Sequence, residues 1–217
     1  MSYYTKKVAD IRREYGKMSL TEDRLPPSPI TLFNIWLDEA INTMQDSDPT
    51  AMVLSTVDYK GHADSRVVLL KGMEAETFIF YTNYHSKKGM QLLSNPYVAI
   101  NFYWSEMVRQ LRIRGRVKKL SNAKSTPYFA TRPINSQISA IISPQSQRII
   151  NRENLESSFN YLETNIAKHP LIKPKYWGGY QLFATEIEFW QGRDNRLHDR
   201  IYYYKQRGKW QHCRLAP

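Results

Sequence analysis

The chain has 217 residues, a length that suits one domain with a sizeable core. A formal charge of +11 points to anionic partners: nucleic acid, a membrane surface or small phosphorylated ligands. The single cysteine, Cys213, excludes an internal disulfide and a Cys-based zinc site, and the five histidines are too scattered to suggest any other metal centre.

The opening MSYYTKKVAD has no apolar stretch of the kind that marks a secretory leader, and no apolar run approaches the ~18 residues of a membrane helix. A cytoplasmic protein without a membrane partner is the expectation. Residues 5–18 read as a short charged helix, and residues 21–29 as a Pro-rich joint, because Pro26, Pro27 and Pro29 oppose regular helix. Residues 31–44 form an amphipathic helix with Leu32, Ile35, Trp36 and Leu37 on its apolar side. The period then changes to two. Strands are expected at 51–57, 65–72, 77–83 and 98–104, with a turn at 58–62 punctuated by Gly61 and a short helix over 86–96. The clearest strand is 109–120, where Leu111, Ile113, Gly115 and Val117 face one way and Gln110, Arg112, Arg114, Arg116 and Lys118 the other. A short helix is read at 126–132 and a longer one at 151–168, then strands at 181–191 and 200–206, with 209–215 as a further candidate. Seven or eight antiparallel strands with inserted helices make a mainly β protein, most economically a closed or nearly closed barrel in a single domain.

Four clusters carry candidate chemistry. Arg66 and Lys71 lie five apart, so a regular strand points them to opposite faces, about 16 Å from each other at ~3.3 Å per residue. Two anions, one anion and a solvated lysine, or plain basic caps on a strand all fit. Ser86 is a plausible helix cap, which places Lys87 and Lys88 in the first turn, where each opposes the helix dipole by ~0.3–1 kcal/mol. That placement suits an anion at the same helix end, or lysines reaching into water. Tyr128 and Arg132 share a helix face, with Ser136 just beyond Pro133: a phosphate grip, or an exposed helix end. Arg196, His198 and Arg200 alternate, and a histidine between two arginines is held neutral at pH 7, able to donate a hydrogen bond, act as a base or serve structure. There is no Ser/His/Asp elbow, Gly-rich phosphate loop or HExxH pair.

Taken in order, DPTAM (48–52), RVVLLK (66–71), FYTN (80–83), TRPINSQ (131–137), PQSQ (144–147), WGG (177–179) and IEFWQGRDNRLHDR (187–200) resemble the pyridoxine/pyridoxamine 5′-phosphate oxidases, over nearly the whole chain from IRREY (11–15) to RLAP (214–217). The resemblance implies an FMN-binding split β-barrel of antiparallel strands with flanking helices, working as a homodimer with FMN at the subunit interface. It implies that Arg66, Lys87, Lys88 and Ser146 hold the FMN phosphate. Val67, Val68, Leu69, Leu70, Lys71, Tyr81, Thr82, Gln110 and Gln145 would line the cofactor, and Trp190 and Arg200 would meet it from the other subunit. Lys71, Tyr128, Arg132 and Ser136 would take the substrate phosphate. Arg196 and His198 would flank the substrate ring as the catalytic pair, under a lid carrying Arg12 and Tyr15. The implied reaction oxidises pyridoxine 5′-phosphate or pyridoxamine 5′-phosphate with O2 to pyridoxal 5′-phosphate, releasing H2O2, and NH3 from the amine. Three departures stand out: Lys87 where arginine is usual, Pro127 before Tyr128 (a helix starting at Pro127 would accommodate it), and Ser139 where glycine is common. A split-barrel FMN protein of another oxidoreductase activity would have no reason to keep Tyr128, Arg132, Ser136 and RLHDR together. A nucleic-acid-binding barrel using the basic face of 110–118 leaves the ordered motifs unexplained.

Overall fold

The computed structural model describes residues 16, 18–168 and 170–217. The expected helix at 5–18, with Arg12 and Tyr15, lies outside them apart from Gly16 and Met18, neither of which is helical. Among the described residues the order is α1 (Pro29–Thr43), β1 (Ala51–Val57), β2 (Ala63–Leu69), β3 (Gly72–Glu74), β4 (Thr77–Asn83), α2 (Lys87–Ser94), β5 (Tyr97–Trp104), β6 (Arg109–Lys119), α3 (Asn122–Thr131), α4 (Ile134–Ile142), α5 (Arg152–Thr164), β7 (Trp177–Gln191), β8 (Asp199–Gln206) and β9 (Lys209–Arg214). The described residues divide into two compact units: those within Met1–Pro49, Asn101–Ile113 and Glu186–Pro217 form one, those within Thr50–Ile100 and Arg114–Thr185 the other.

In the first unit, α1 begins two residues earlier than its sequence pattern predicts. Ser28 caps it by accepting from the Ile30 N–H at 3.3 Å, and Pro29 sits in the first turn, where a missing N–H costs nothing. The buried stripe is Leu32, Phe33, Trp36 and Ala40; Ile35 faces solvent, and Phe33, absent from the expected face, is fully buried. Trp36 meets Phe189 edge-on at 5.1 Å, and Phe33 packs on Phe102 at 5.6 Å. Such pairs contribute about 0.5–1.5 kcal/mol each beyond their buried area. Arg109 is buried here, stacked 4.5 Å over Trp36, donating to Gln191 Oε1 at 2.8 Å and paired with Glu39. β8 pairs antiparallel with the end of β7 and with β9. Arg214 on β9 binds Glu22, Asp199 and the Leu20 carbonyl, tying the last strand to the segment before α1.

The second unit holds β1 to β4, α2 to α5 and the adjoining parts of β5, β6 and β7. Its strand order is β2-β1-β5-β6-β7-β4-β3. β1 alternates, burying Met52, Leu54 and Thr56, and turns into β2 through Gly61, whose φ of +87° suits only a residue without Cβ. The sequence reads 65–72 as one strand, but it breaks. The Leu70 N–H still donates to Thr50 O at 2.9 Å, extending the β1–β2 ladder, while the Lys71 N–H donates to Ile79 O at 2.8 Å, opening the β3–β4 ladder. The two ends of the strand order are thus joined by one two-residue crossing. α3 does not start at Pro127. Ser121 caps it, accepting from the Lys124 N–H at 3.3 Å, and Pro127 lies inside the helix. α4, which follows Pro133 directly and packs on α5, is absent from the sequence reading.

Candidate active site

A cavity of about 420 Å³ opens in the second unit. One side is the β2 edge and the crossing that follows it: Val67, Val68, Leu69 and Lys71. Opposite stand Tyr81, Thr82 and Asn83 of β4, Lys88 of α2, Tyr128 and Arg132 at the end of α3, and Trp177 at the start of β7. Ser139, Ala140, Ser143 and Gln145 complete the lining. Long-range pairing builds this wall: the β4–β7 register sets Tyr81 against Gly179 and Asn83 against Trp177. Gly179 is required there, since a Cβ would lie 2.9 Å from the Tyr81 ring and 2.5 Å from Leu120.

Three rings lie nearly parallel in the wall. Tyr81 stacks on Tyr128 at 3.8 Å and on Trp177 at 5.3 Å. The Arg132 guanidinium lies 4.8 Å over Trp177 and 5.7 Å from Phe129. Burial lowers the Arg132 pKa, yet an arginine stays charged, and its Nη1 is buried with no hydrogen-bond partner. A buried cationic donor without a protein acceptor fits an anionic group of a ligand.

The other cationic end is at α2. Ser86 caps the helix, its hydroxyl accepting from the Gly89 N–H at 3.3 Å. Lys88 is buried, donates to Gln145 Oε1 at 2.8 Å, and has its pKa lowered by burial and then by Arg66. Thr82 donates to the same oxygen at 3.3 Å. Arg66 does not line the cavity. Its Nη1 donates to Thr56 Oγ1 at 2.6 Å and Leu54 O at 3.2 Å, its Nη2 to Gln91 Oε1 at 3.2 Å, and Asp64 pairs with it at 3.0 Å. Lys87, largely exposed, pairs with the same Asp64 oxygen at 2.9 Å.

The structure therefore gathers Val67, Val68, Leu69, Lys71, Tyr81, Thr82, Lys88, Tyr128, Arg132 and Gln145 around one cavity. Leu70 is buried beside it, and Arg66, Lys87, Ser136 and Ser146 are not in its lining. Ser146 has a positive φ of +70°. Gln110, Trp190, Arg196, His198 and Arg200 belong to the first unit. There Gln110 donates to Asn101 Oδ1 at 2.6 Å, and Arg200 Nε donates to Glu188 Oε1 at 2.8 Å. Arg196 has a positive φ of +60° in a tight turn, and His198 packs on Trp190 at 4.7 Å while accepting from the Arg193 N–H through Nδ1 at 3.1 Å. Burial and then the Arg196 charge lower the His198 pKa. Sequence reasoning missed Trp177 as a wall residue, together with Asn83, Ala140 and Ser143. It also missed Asp64, although a period of two already sets it on the Arg66 face. Ser139 reaches the cavity and donates to Asn135 O at 2.8 Å.

An antiparallel half-barrel whose cleft combines stacked aromatic rings with cations at both ends belongs to the split β-barrel class. Comparison with known proteins narrows this further. The family described as pyridoxamine 5′-phosphate oxidase matches residues 37–165, and the pyridoxine 5′-phosphate oxidase C-terminal dimerisation region matches residues 177–217. A protein of Legionella pneumophila (strain Lens) named pyridoxine/pyridoxamine 5′-phosphate oxidase is 56% identical over 212 residues, covering 98% of each chain. One of the same name from Bacteroides thetaiotaomicron is 47% identical over 213 residues, covering 98% of this chain and all of its own. Among solved structures, PhzG from Burkholderia lata 383, in complex with tetrahydrophenazine-1-carboxylic acid, aligns with a TM-score of 0.85 at 28% identity, over 92% of this chain and 98% of its own. The chain belongs to the pyridoxamine 5′-phosphate oxidase family, and it is an oxidoreductase. Among the described residues, no helix is long and apolar enough to cross a membrane.

Proposed function

We propose that this protein oxidises pyridoxine 5′-phosphate and pyridoxamine 5′-phosphate to pyridoxal 5′-phosphate, with FMN as cofactor and O2 as terminal acceptor. The reading rests above all on Arg132, a half-buried guanidinium whose Nη1 is buried with no hydrogen-bond partner, beside stacked rings in a cleft that also holds Lys71 and Lys88. When bound, FMN would supply a two-electron acceptor for oxidation at C4′, with O2 as the final acceptor and H2O2 as its product; hydrolysis would release NH3 where the substrate is the amine.

The chain supplies binding and orientation. Lys88, with Arg66, Lys87 and Ser146, takes the flavin phosphate, while Tyr81, Thr82, Gln110, Gln145 and the residues Val67, Val68, Leu69 and Leu70 contact the rest of the cofactor. Lys71, Tyr128, Arg132 and Ser136 take the substrate phosphate, fixing C4′ for transfer. Arg196 and His198 are assigned to the substrate ring, Trp190 and Arg200 to the flavin, and Arg12 and Tyr15 to closure. Arg196→Ala lowers turnover far more than it weakens FMN binding; equal loss of both sinks that role. The working form is a homodimer, in keeping with the match of residues 177–217 to a dimerisation region.

The test is to add pyridoxine 5′-phosphate to the FMN-loaded protein without oxygen and follow flavin absorbance. Bleaching that recovers in air, with one H2O2 per aldehyde, is the expected result. A flavin left unbleached by both the alcohol and the amine would move the protein to another split-barrel oxidoreductase activity.

A further inference from the structure

Asp64 has no part in the assignments above, yet it stands among their cations. It lies on β2 two residues before Arg66, so both side chains emerge on one face of the strand. One carboxylate oxygen, Oδ2, is 3.0 Å from Arg66 Nη2 and 2.9 Å from Lys87 Nζ; the other accepts from the Ser65 N–H at 2.9 Å. The hydrogen bond from Lys87, and then the charge of Arg66, hold the carboxyl below its ordinary value, so it is ionised at neutral pH. A carboxylate thus bridges Arg66 and Lys87, the residue that opens α2.

We propose that Asp64 is an intramolecular counter-anion at the phosphate end of the cofactor cleft, and that it sets how tightly the flavin phosphate is held. This rests on the FMN reading above. A phosphate taking Arg66 and Lys87 must share them with this carboxylate or displace it, and in either case it faces a like charge. The direction of the effect follows from what holds each cation. Arg66 is fixed independently by Thr56, Leu54 and Gln91, so it needs no acid to keep its place. Lys87 is anchored by the helix it opens, and its side chain is 66% exposed. Removing the charge of Asp64 therefore leaves both donors in position, with three cations facing the phosphate and no competing anion. Asp64 lowers cofactor affinity in exchange for a neutralised cluster in the flavin-free chain.

The test compares wild type with Asp64→Asn, which keeps size and most hydrogen bonding, and with Asp64→Ser as a second variant. Apoprotein is titrated with FMN and with riboflavin, which lacks the phosphate, following quenching of flavin fluorescence. The expected result is FMN binding about tenfold tighter in both variants, with riboflavin binding unchanged. In a Lys87→Gln background the gain shrinks, because the partner that Asp64 competes for is gone. Equal or weaker FMN binding in both variants, with riboflavin still bound as in wild type, overturns the role of Asp64 and leaves the cofactor assignment standing. Wild type that binds neither flavin overturns both. A parallel gain for FMN and riboflavin also overturns it, since that effect would not act through the phosphate.

Discussion

Arg132 spends its charge in an unusual way: its guanidinium covers Trp177 and Phe129, while one nitrogen is buried with nothing to donate to. Lysine cannot reproduce the planar fork or its stacking. Arg132→Lys is expected to raise KM for pyridoxine 5′-phosphate about 10- to 100-fold, the cost of a charged hydrogen bond, while FMN titration changes little. Steady-state kinetics beside a flavin titration would show it, and an unchanged KM would remove Arg132 from the substrate site. His198 gives a prediction in pH. Burial and the neighbouring Arg196 hold its imidazole below the ordinary value of 6.5, so the unfolded chain binds this proton more readily than the folded one. Its contribution to stability is therefore complete above that value and is lost as pH falls through the lower, folded-state pKa. Protonation at Nδ1 also removes the acceptor of the Arg193 N–H. The urea midpoint is expected to drop between about pH 7.5 and 5.5, and to drop less in His198→Asn; identical pH dependence in the two proteins would refute it. At this scale the sequence exposed the charged residues well, because cations in tight local patterns need no fold to be noticed. Trp177 escaped because its place in the wall depends on β4 pairing with a strand almost a hundred residues away in sequence.

Pro127 sits in the middle of α3, where it removes the N–H that would reach the Ala123 carbonyl. The helix survives because Ser121 caps its start and Phe129 is buried on its far side. Pro127→Ala is expected to stabilise the protein by about 1–3 kcal/mol, read as a rise in urea midpoint with an unchanged slope. A lower midpoint would mean that the proline is matched to its site. The helix boundaries show why elements were only partly legible. Strands with clean alternation, such as β1 and β6, came through within a residue or two. Two errors share one cause, the treatment of proline as a purely local matter. Pro29 was taken as a breaker although it opens α1, and Pro127 as a start although it lies inside α3; Pro133 does follow the end of α3, but α4 begins directly after it. The break between β2 and β3 had no local signature, since Thr50 and Ile79 decide it from outside the segment.

Over the whole molecule, the match of the last strands to a dimerisation region predicts that sedimentation equilibrium returns twice the 25.6 kDa chain mass at micromolar concentration. A single-chain mass would detach the flavin assignments of Trp190 and Arg200 from a partner subunit. The split-barrel class was legible from strand number and motif order, but the division of the chain into two compact units was not, because β5, β6 and β7 each give one end to each unit without any change in composition. The crossing at Leu70 and Lys71 has a use of its own. Two successive amide protons are sealed by different ladders, one by Thr50 and the other by Ile79. Their exchange with deuterated solvent reports separately on the opening of the two sheet edges that flank the cleft. Slowing of the Lys71 amide alone on adding ligand would mark the β3–β4 edge as the one that ligand closes, and equal slowing of both would show that the cleft tightens as one piece.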